Sequence, residues 1–202
     1  KLLAFPMKYL FILAMCLLSL QPKAQTDSLL LKQNIKAGMD SVSSTFQRKD
    51  WNAFTNYMHP DLINMLGGKK KFAEFIEQQM KSMEDATVQK SASGSVLQLL
   101  RYKDQWQCIV ESYLEMTVDS TIISTVSSNI GVSFDDGKSW KFIRLSNGNE
   151  EKMKQMFKDL SPELQAPINK TAVGVTLEEL LKTYQPVYST DKPKAVNENK
   201  NN

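Results

Sequence analysis

The spacing of hydrophobic residues changes along the chain from a helical period to a strand period. In the first part, apolar residues recur every three or four positions, which predicts amphipathic helices. We expect one helix over residues 28–48, a short one over 50–57 and a third over 69–83. Pro60 is expected to follow the end of the second helix, and the short apolar run 61–66 predicts a turn or a brief strand.

After residue 85, apolar and polar residues alternate and Val, Ile, Ser and Thr become frequent, which predicts β-strands. We place these strands at residues 87–102, 106–118, 121–134 and 140–145. Gly94 predicts a bulge in the first of them. In the second strand, alternation predicts one apolar face and one wetter face. The polar positions on that wetter face are Gln107, Glu111, Glu115 and Thr117.

Three helices followed by an antiparallel meander predict an α+β fold, in which the helices pack on the concave face of a curved, cone-shaped sheet. We expect a single domain over residues 25–168 and a C-terminal extension over 169–202. Helical spacing returns over 150–160 and again over 176–184. The polar residues 191–202 are expected to be disordered.

Residues 1–24 have the pattern of a secretory signal peptide. A lysine precedes the apolar run 9–20, and Ala24 supplies a small residue at the expected cleavage site. This run is shorter than the ~20 apolar residues that span a bilayer. We therefore expect a periplasmic or secreted protein without a membrane span after processing, and Met7 as the true start.

The charge balance bears on possible partners, and the cysteine content bears on disulfide formation. The chain has 25 Lys and Arg against 22 Asp and Glu, and three of the lysines lie in the leader, so the processed chain is balanced at 22 of each sign. This balance argues against nucleic-acid binding. Cleavage also removes Cys16 and leaves Cys108 alone, so no intramolecular disulfide is expected.

Several short motifs suggest a family. The runs 49–54 (KDWNAF), 58–62 (MHPDL) and 133–142 (SFDDGKSWKF), with two glycines before the third helix, resemble the nuclear transport factor two-like superfamily and its cystatin-like cone fold. More narrowly, the chain is similar to exported bacterial members of unknown activity. The resemblance covers residues 28–147 and implies a pocket between the helices and the curved sheet. That superfamily includes isomerases, dehydratases, polyketide cyclases and binding-only members, so the fold does not choose a function. Its members often dimerise across the sheet, which makes a homodimer possible here.

Two groups of residues are candidates for acid–base chemistry. His59, the single histidine, stands next but one to Asp61, and such a pair can transfer protons. The alternative is that His59 caps the end of the short second helix and Asp61 satisfies a turn, since His-Pro-Asp is a good helix stop. Glu111 and Glu115 flank Tyr113 on one strand face, where a carboxyl group in a cavity could serve as an acid, or all three could lie on an exposed polar face. No full catalytic set of the superfamily can be placed on this chain.

The candidates for ligand contact are Trp51, Tyr57, Met65 and Tyr113. One histidine and one distant cysteine provide no metal-ligand spacing, so no metal and no cofactor are expected. Our leading hypothesis is an exported, non-catalytic domain that binds a small apolar ligand in its pocket or an envelope protein through its sheet. The alternative is an isomerase, dehydratase or cyclase that uses a pocket acid and base.

Overall fold

The computed structural model describes residues 22–81 and 86–189, with side chains from residue 28 onward. The expected signal peptide lies almost wholly outside the described residues, and the expected disordered tail over 191–202 lies wholly outside them. Among the helices of the described part, none has the length and hydrophobicity to cross a membrane.

Four helices precede the sheet. They are α1 (Pro22–Gln47), α2 (Trp51–Thr55), α3 (Pro60–Met65) and α4 (Lys69–Lys81). The three predicted helices are confirmed as α1, α2 and α4, and Asp50 caps α2 by accepting a hydrogen bond from the Ala53 amide. Helix α1 begins earlier than predicted, because Pro22 is tolerated in a first helical turn and no later residue interrupts the helix.

The prediction of a turn or strand at residues 61–66 is wrong, because residues 61–65 belong to α3 and Leu66 is its C-cap. Pro60 has the backbone φ of a first helical residue and needs no amide hydrogen there. The side chain of His59 caps the helix, since its Nδ1 accepts a hydrogen bond from the Asp61 amide at 3.3 Å. The His-Pro-Asp run therefore starts a helix as well as separating it from α2.

The sheet is curved, antiparallel and unclosed, which confirms the α+β class. Its strands are β1 (Thr87–Tyr102), β2 (Gln105–Val118), β3 (Thr121–Ser133), β4 (Lys141–Arg144) and β5 (Lys170–Val173). The first four follow one another in space. The register of β1 against β2 shifts between Ser93 and Val96, which confirms the bulge predicted at Gly94. The fifth strand was not predicted and pairs with the first half of β3.

Both faces of the sheet are covered. On the inner face, α1 packs Leu31, Ile35 and Met39 against β2 and β4. On the outer face, apolar residues of β2, β3 and β4 pack against the segment that follows the short helix α5 (Glu150–Met156). The outer cluster consists of Ile109, Ile130, Val132, Ile143, Leu145, Phe157, Leu160 and Leu164. Helix α5 is shorter than the predicted 150–160, and the segment after it supplies Phe157, Leu160 and Leu164 of this cluster.

The expected wetter face of β2 is instead buried. Gln107 is fully buried, Glu111 is 2% exposed and Glu115 is 6% exposed. Each of these residues binds part of the C-terminal chain. Gln107 bonds the backbone of residues 159 and 161, Glu111 accepts from the Tyr184 hydroxyl, and Glu115 accepts from the Leu177 amide. Their polar character serves contacts within the chain and not contact with water.

The C-terminal extension thus forms part of the folded structure up to residue 189. Helix α6 (Leu177–Thr183) confirms the helix predicted over 176–184. Thr176 and Glu179 form a reciprocal capping box at its start. Leu177 and Leu180 are the buried residues of this helix.

Candidate functional site

A cavity of about 80 Å³ lies between α1, α2 and the inner face of the sheet. Most of its wall is apolar and comes from Met39, Val42, Phe46, Phe54, Met58 and Phe142. Polar groups on β2, β3 and β4 complete it, among them Ser112, Asn129 and Arg144. One water occupies about 30 Å³ in the liquid, so the cavity holds about three heavy atoms.

Arg144 is the single charged group of this cavity wall, as far as the chain is described. It follows Phe142 on the same side of β4, so its side chain lies on the inner face of the sheet. One guanidinium nitrogen donates a hydrogen bond to Ser127 Oγ at 2.9 Å. No described carboxylate lies within ion-pair distance of it. The side chain stays exposed at the cavity mouth, while the surrounding protein partly desolvates it and lowers its pKa.

The residues beside Arg144 hold one another in place. Asn129 lies opposite Arg144 in the β3–β4 register and is 5% exposed. Its side-chain amide donates to the Val110 carbonyl at 3.2 Å and to Ser112 Oγ at 3.0 Å. A fixed polar patch therefore adjoins an apolar cavity, with a positive charge at its mouth. Sequence reasoning missed Arg144, although the sequence contained a signal. Residues 140, 142 and 144 point to the same face of a strand, and Arg144 is the charged residue on a face that otherwise carries Trp140 and Phe142.

His59 lies at a different place, in a cleft of about 250 Å³ beside the start of α3. Its ring is buried against Phe157 at 5.1 Å and Phe134 at 5.5 Å between ring centroids. The nearest carboxylate oxygen, Oδ2 of Asp61, lies 3.9 Å from Nδ1, which is beyond hydrogen-bond distance. The hydrogen bond between the His59 ring and the Asp61 carboxylate that the acid–base hypothesis requires is therefore not formed in this structure.

The cap of α3 also decides the tautomer of His59. Because Nδ1 accepts from the Asp61 amide, the proton of the neutral ring is assigned to Nε2. A neutral ring in this form donates from Nε2 and cannot accept a proton there. The structure therefore brings His59 and Asp61 together at the start of α3, whereas the alternative considered from the sequence placed the cap at the end of the helix before it.

This cap leads to a pH prediction. Burial lowers the pKa of His59 below its ordinary 6.5 and outweighs the opposing fields of Asp61 and Asp159. The unfolded chain then takes up the proton first as the pH falls. We expect the free energy of unfolding to be constant above about pH 7.5 and to decrease as the pH falls through 6.5 toward the folded pKa.

Urea denaturation of the wild type and of His59→Asn across pH 5 to 8 checks this expectation. Asparagine is a good N-cap without a titrating ring, so the variant is expected to have a flatter profile. Because the chain has one histidine, the difference between the two profiles belongs to it. If the unfolding free energies of the two proteins changed with pH in parallel, the protonation of His59 would have no effect on stability and the prediction would be wrong.

The second predicted group, Glu111 and Glu115, lies on the outer face beneath the C-terminal chain. The carboxylate of Glu111 accepts hydrogen bonds from the hydroxyls of Tyr184 at 2.8 Å and Tyr113 at 3.2 Å. Burial, with the Glu111 carboxylate as a further cause, raises the pKa of both phenols. Glu115 also lies 3.5 Å from Lys90 Nζ. These carboxylates hold α6 on the sheet and do not line the cavity of Arg144.

The four residues predicted to contact a ligand do not converge. Trp51 borders an open, charged groove between α2 and α4, and Met65 is exposed. Tyr57 packs in the apolar clusters beside the cavity. Tyr113 borders the Arg144 cavity, while its hydroxyl bonds Glu111 on the outer face. Cys108 is fully buried, and burial raises the pKa of its thiol far above the usual range. Within residues 22–81 and 86–189, no three potential metal ligands come together.

Comparisons with family models, with curated proteins and with solved structures find no match for this chain. The resemblance to the nuclear transport factor two-like superfamily therefore stays a prediction from the motifs of residues 28–147.

Proposed function

We propose that this chain is an exported, non-catalytic binding domain of the nuclear transport factor two-like type. It takes a small molecule with an apolar end and an anionic group into the cavity between α1 and the sheet. The observation that carries this proposal is Arg144, a cation without a described carboxylate partner at the mouth of an apolar cavity. A guanidinium matches a carboxylate through paired hydrogen bonds, and apolar walls favour a hydrocarbon end.

The size and walls of the cavity limit the ligand further. The enclosed space suits the end of a short chain, with the remainder at the mouth beside Arg144. Met39 and Met58 line it, and methionine side chains can adapt to ligands of different shape. Among the described lining residues there is no histidine and no carboxyl group, which supports binding over acid–base catalysis. The outer sheet face is covered by the chain's own C-terminal segment, which favours the cavity over that face as the binding site.

Thermal unfolding with butyrate, hexanoate and octanoate, each compared with the alcohol of the same chain length, tests the proposal. We expect the carboxylates to raise the melting temperature in a concentration-dependent manner and the alcohols to have a smaller effect. Arg144→Gln is expected to weaken carboxylate binding about tenfold or more, since a hydrogen bond to a charged group contributes ~1.5–3 kcal/mol.

Arg48→Gln is the matched control, because it removes the same charge from an exposed position outside the cavity. This control should bind the carboxylates as the wild type does. Equal stabilisation by alcohols and carboxylates, or unchanged binding in Arg144→Gln, would remove the role assigned to the arginine. Absence of stabilisation by every probe would overturn the proposed ligand class.

A further inference from the structure

The cleft beside His59 is separate from the Arg144 cavity and shares no lining residue with it. It lies where α3 begins, between the end of β3 and the segment after α5. Its walls are mainly apolar and come from Pro60, Phe134, Phe157 and Leu160. Phe134 is 51% exposed although it is a large aromatic residue and contacts the His59 ring, so one wall of the cleft presents a partly exposed ring.

His59 contributes a hydrogen-bond donor to this cleft. The residue is 6% exposed, and its Nδ1 is used in the cap of α3. No described residue accepts a hydrogen bond from Nε2. In the described part of the chain, every fully buried side-chain nitrogen or oxygen has a hydrogen-bond partner, so Nε2, which has none, is not fully buried. The Nε2–H group is therefore open to the cleft that His59 lines, and it calls for an acceptor on a ligand.

The rim of the cleft carries a net negative charge. Asp159 is neutralised by Lys103, whose Nζ lies 3.0 Å from its carboxylate. Asp61 has no described lysine or arginine within ion-pair distance, and its neighbour His59 is neutral in the capping tautomer. One carboxylate is thus available in the cleft that the exposed ring of Phe134 lines. Aromatic faces together with a carboxylate are the environment that organic ammonium groups prefer.

We propose that this cleft is a second binding site, specific for a small aromatic amine that carries a hydroxyl or carbonyl oxygen near its ammonium group. The aromatic ring of the ligand packs against the exposed face of Phe134. The ammonium group pairs with Asp61, and the oxygen accepts a hydrogen bond from Nε2 of His59. Anions of the same shape are rejected, because Asp61 repels them and His59 carries no positive charge.

Three small molecules of similar shape test this specificity. Phenylethanolamine has the ring, the hydroxyl and the ammonium group, phenethylamine lacks the hydroxyl, and mandelate replaces the ammonium group with a carboxylate. Because the chain has one histidine, the imidazole signals of His59 report binding directly by NMR in the full chain at pH 7.5. We expect a saturable shift with phenylethanolamine, weaker binding of phenethylamine and no saturable shift with mandelate.

Two variants remove different parts of the site. Asp61→Asn is expected to weaken phenylethanolamine binding about tenfold, the loss of one charge-assisted contact. Phe134→Leu removes an exposed ring and is expected to weaken it several-fold. Asp119→Asn, in the exposed turn between β2 and β3, removes the same charge elsewhere and should leave the affinity unchanged. Equal binding of mandelate, wild-type affinity in both site variants, or no saturable shift with either amine would overturn the proposal.

The two sites can be distinguished in one protein. Arg144→Gln should leave the His59 shifts with phenylethanolamine intact, and Asp61→Asn should leave stabilisation by carboxylates intact, because the sites do not touch. A failure at one site therefore does not decide the other.

Discussion

Replacing Phe142 with alanine is expected to lower the free energy of unfolding by about 3–5 kcal/mol. The side chain is 1% exposed in the inner core cluster. Two glycines approach its ring, and a Cβ at either Gly38 or Gly131 would lie 3.1 Å from a ring carbon. Because α1 and β3 meet the ring here through backbone, no side chain is available at these two positions to fill the space that alanine leaves. Urea denaturation of the two proteins measures the difference.

A second substitution tests whether the contact with Gly38 is the reason. Alanine in place of a mid-helix glycine is expected to raise the free energy of unfolding by about 1 kcal/mol through helix propensity alone. In the wild type, the Phe142 ring opposes this gain through crowding, whereas in the Phe142→Ala background the ring is absent. We expect Gly38→Ala to be more favourable in the Phe142→Ala background by about 1 kcal/mol or more. An identical effect in both backgrounds would contradict the contact.

Replacing Tyr184 with phenylalanine is expected to lower the free energy of unfolding by about 1.5–3 kcal/mol, although only one hydroxyl is lost. That hydroxyl donates to Glu111, a residue that is 2% exposed and whose carboxylate has the Tyr113 hydroxyl as its other described donor. A buried carboxylate that loses a donor keeps its desolvation penalty without compensation. Thermal or urea unfolding measures the loss.

The loss should depend on the carboxylate. In a Glu111→Leu background, no buried charge is left unsatisfied, so Tyr184→Phe is expected to change stability by no more than about 0.5 kcal/mol. Tyr188→Phe is the matched control, because Tyr188 is an exposed tyrosine close to Tyr184 in sequence. If Tyr184→Phe were as costly without Glu111 as with it, the attachment of α6 would rest on apolar packing instead.

Hydrophobic periodicity predicted the elements whose cause is local. Helices α1, α2 and α4 follow from apolar spacing, and Asp50 caps α2 because its side chain reaches an amide three residues later. Helix α3 was missed for a physical reason. Its cap is a histidine, and its apolar run is too short to show a helical period. Strand β5 was missed because four residues outside a periodic segment become a strand only through pairing with β3.

The candidate sites were only partly visible in the sequence. The sequence pointed to His59 and Asp61 as a pair. The role of the imidazole, however, depends on which of its nitrogens accepts the hydrogen bond from the Asp61 amide at the start of α3. Glu111 and Glu115 were correctly grouped on one strand face. One alternative was that this face is exposed, but a segment more than 60 residues later in the chain covers it. Arg144 was not considered, since its lack of a carboxylate partner is a property of the assembled sheet.

What the sequence determined by itself is the α+β class, the order of most elements and the alternation of faces along β2. These follow from backbone geometry and from interactions between residues close together in the chain. Only the tertiary structure decided that both sheet faces are covered, that the polar residues of β2 hold the C-terminal chain, and that Arg144 and His59 border separate cavities. Burial and charge pairing depend on contacts between distant parts of the chain, and a pattern of polar residues is the same whether water or a buried partner faces it.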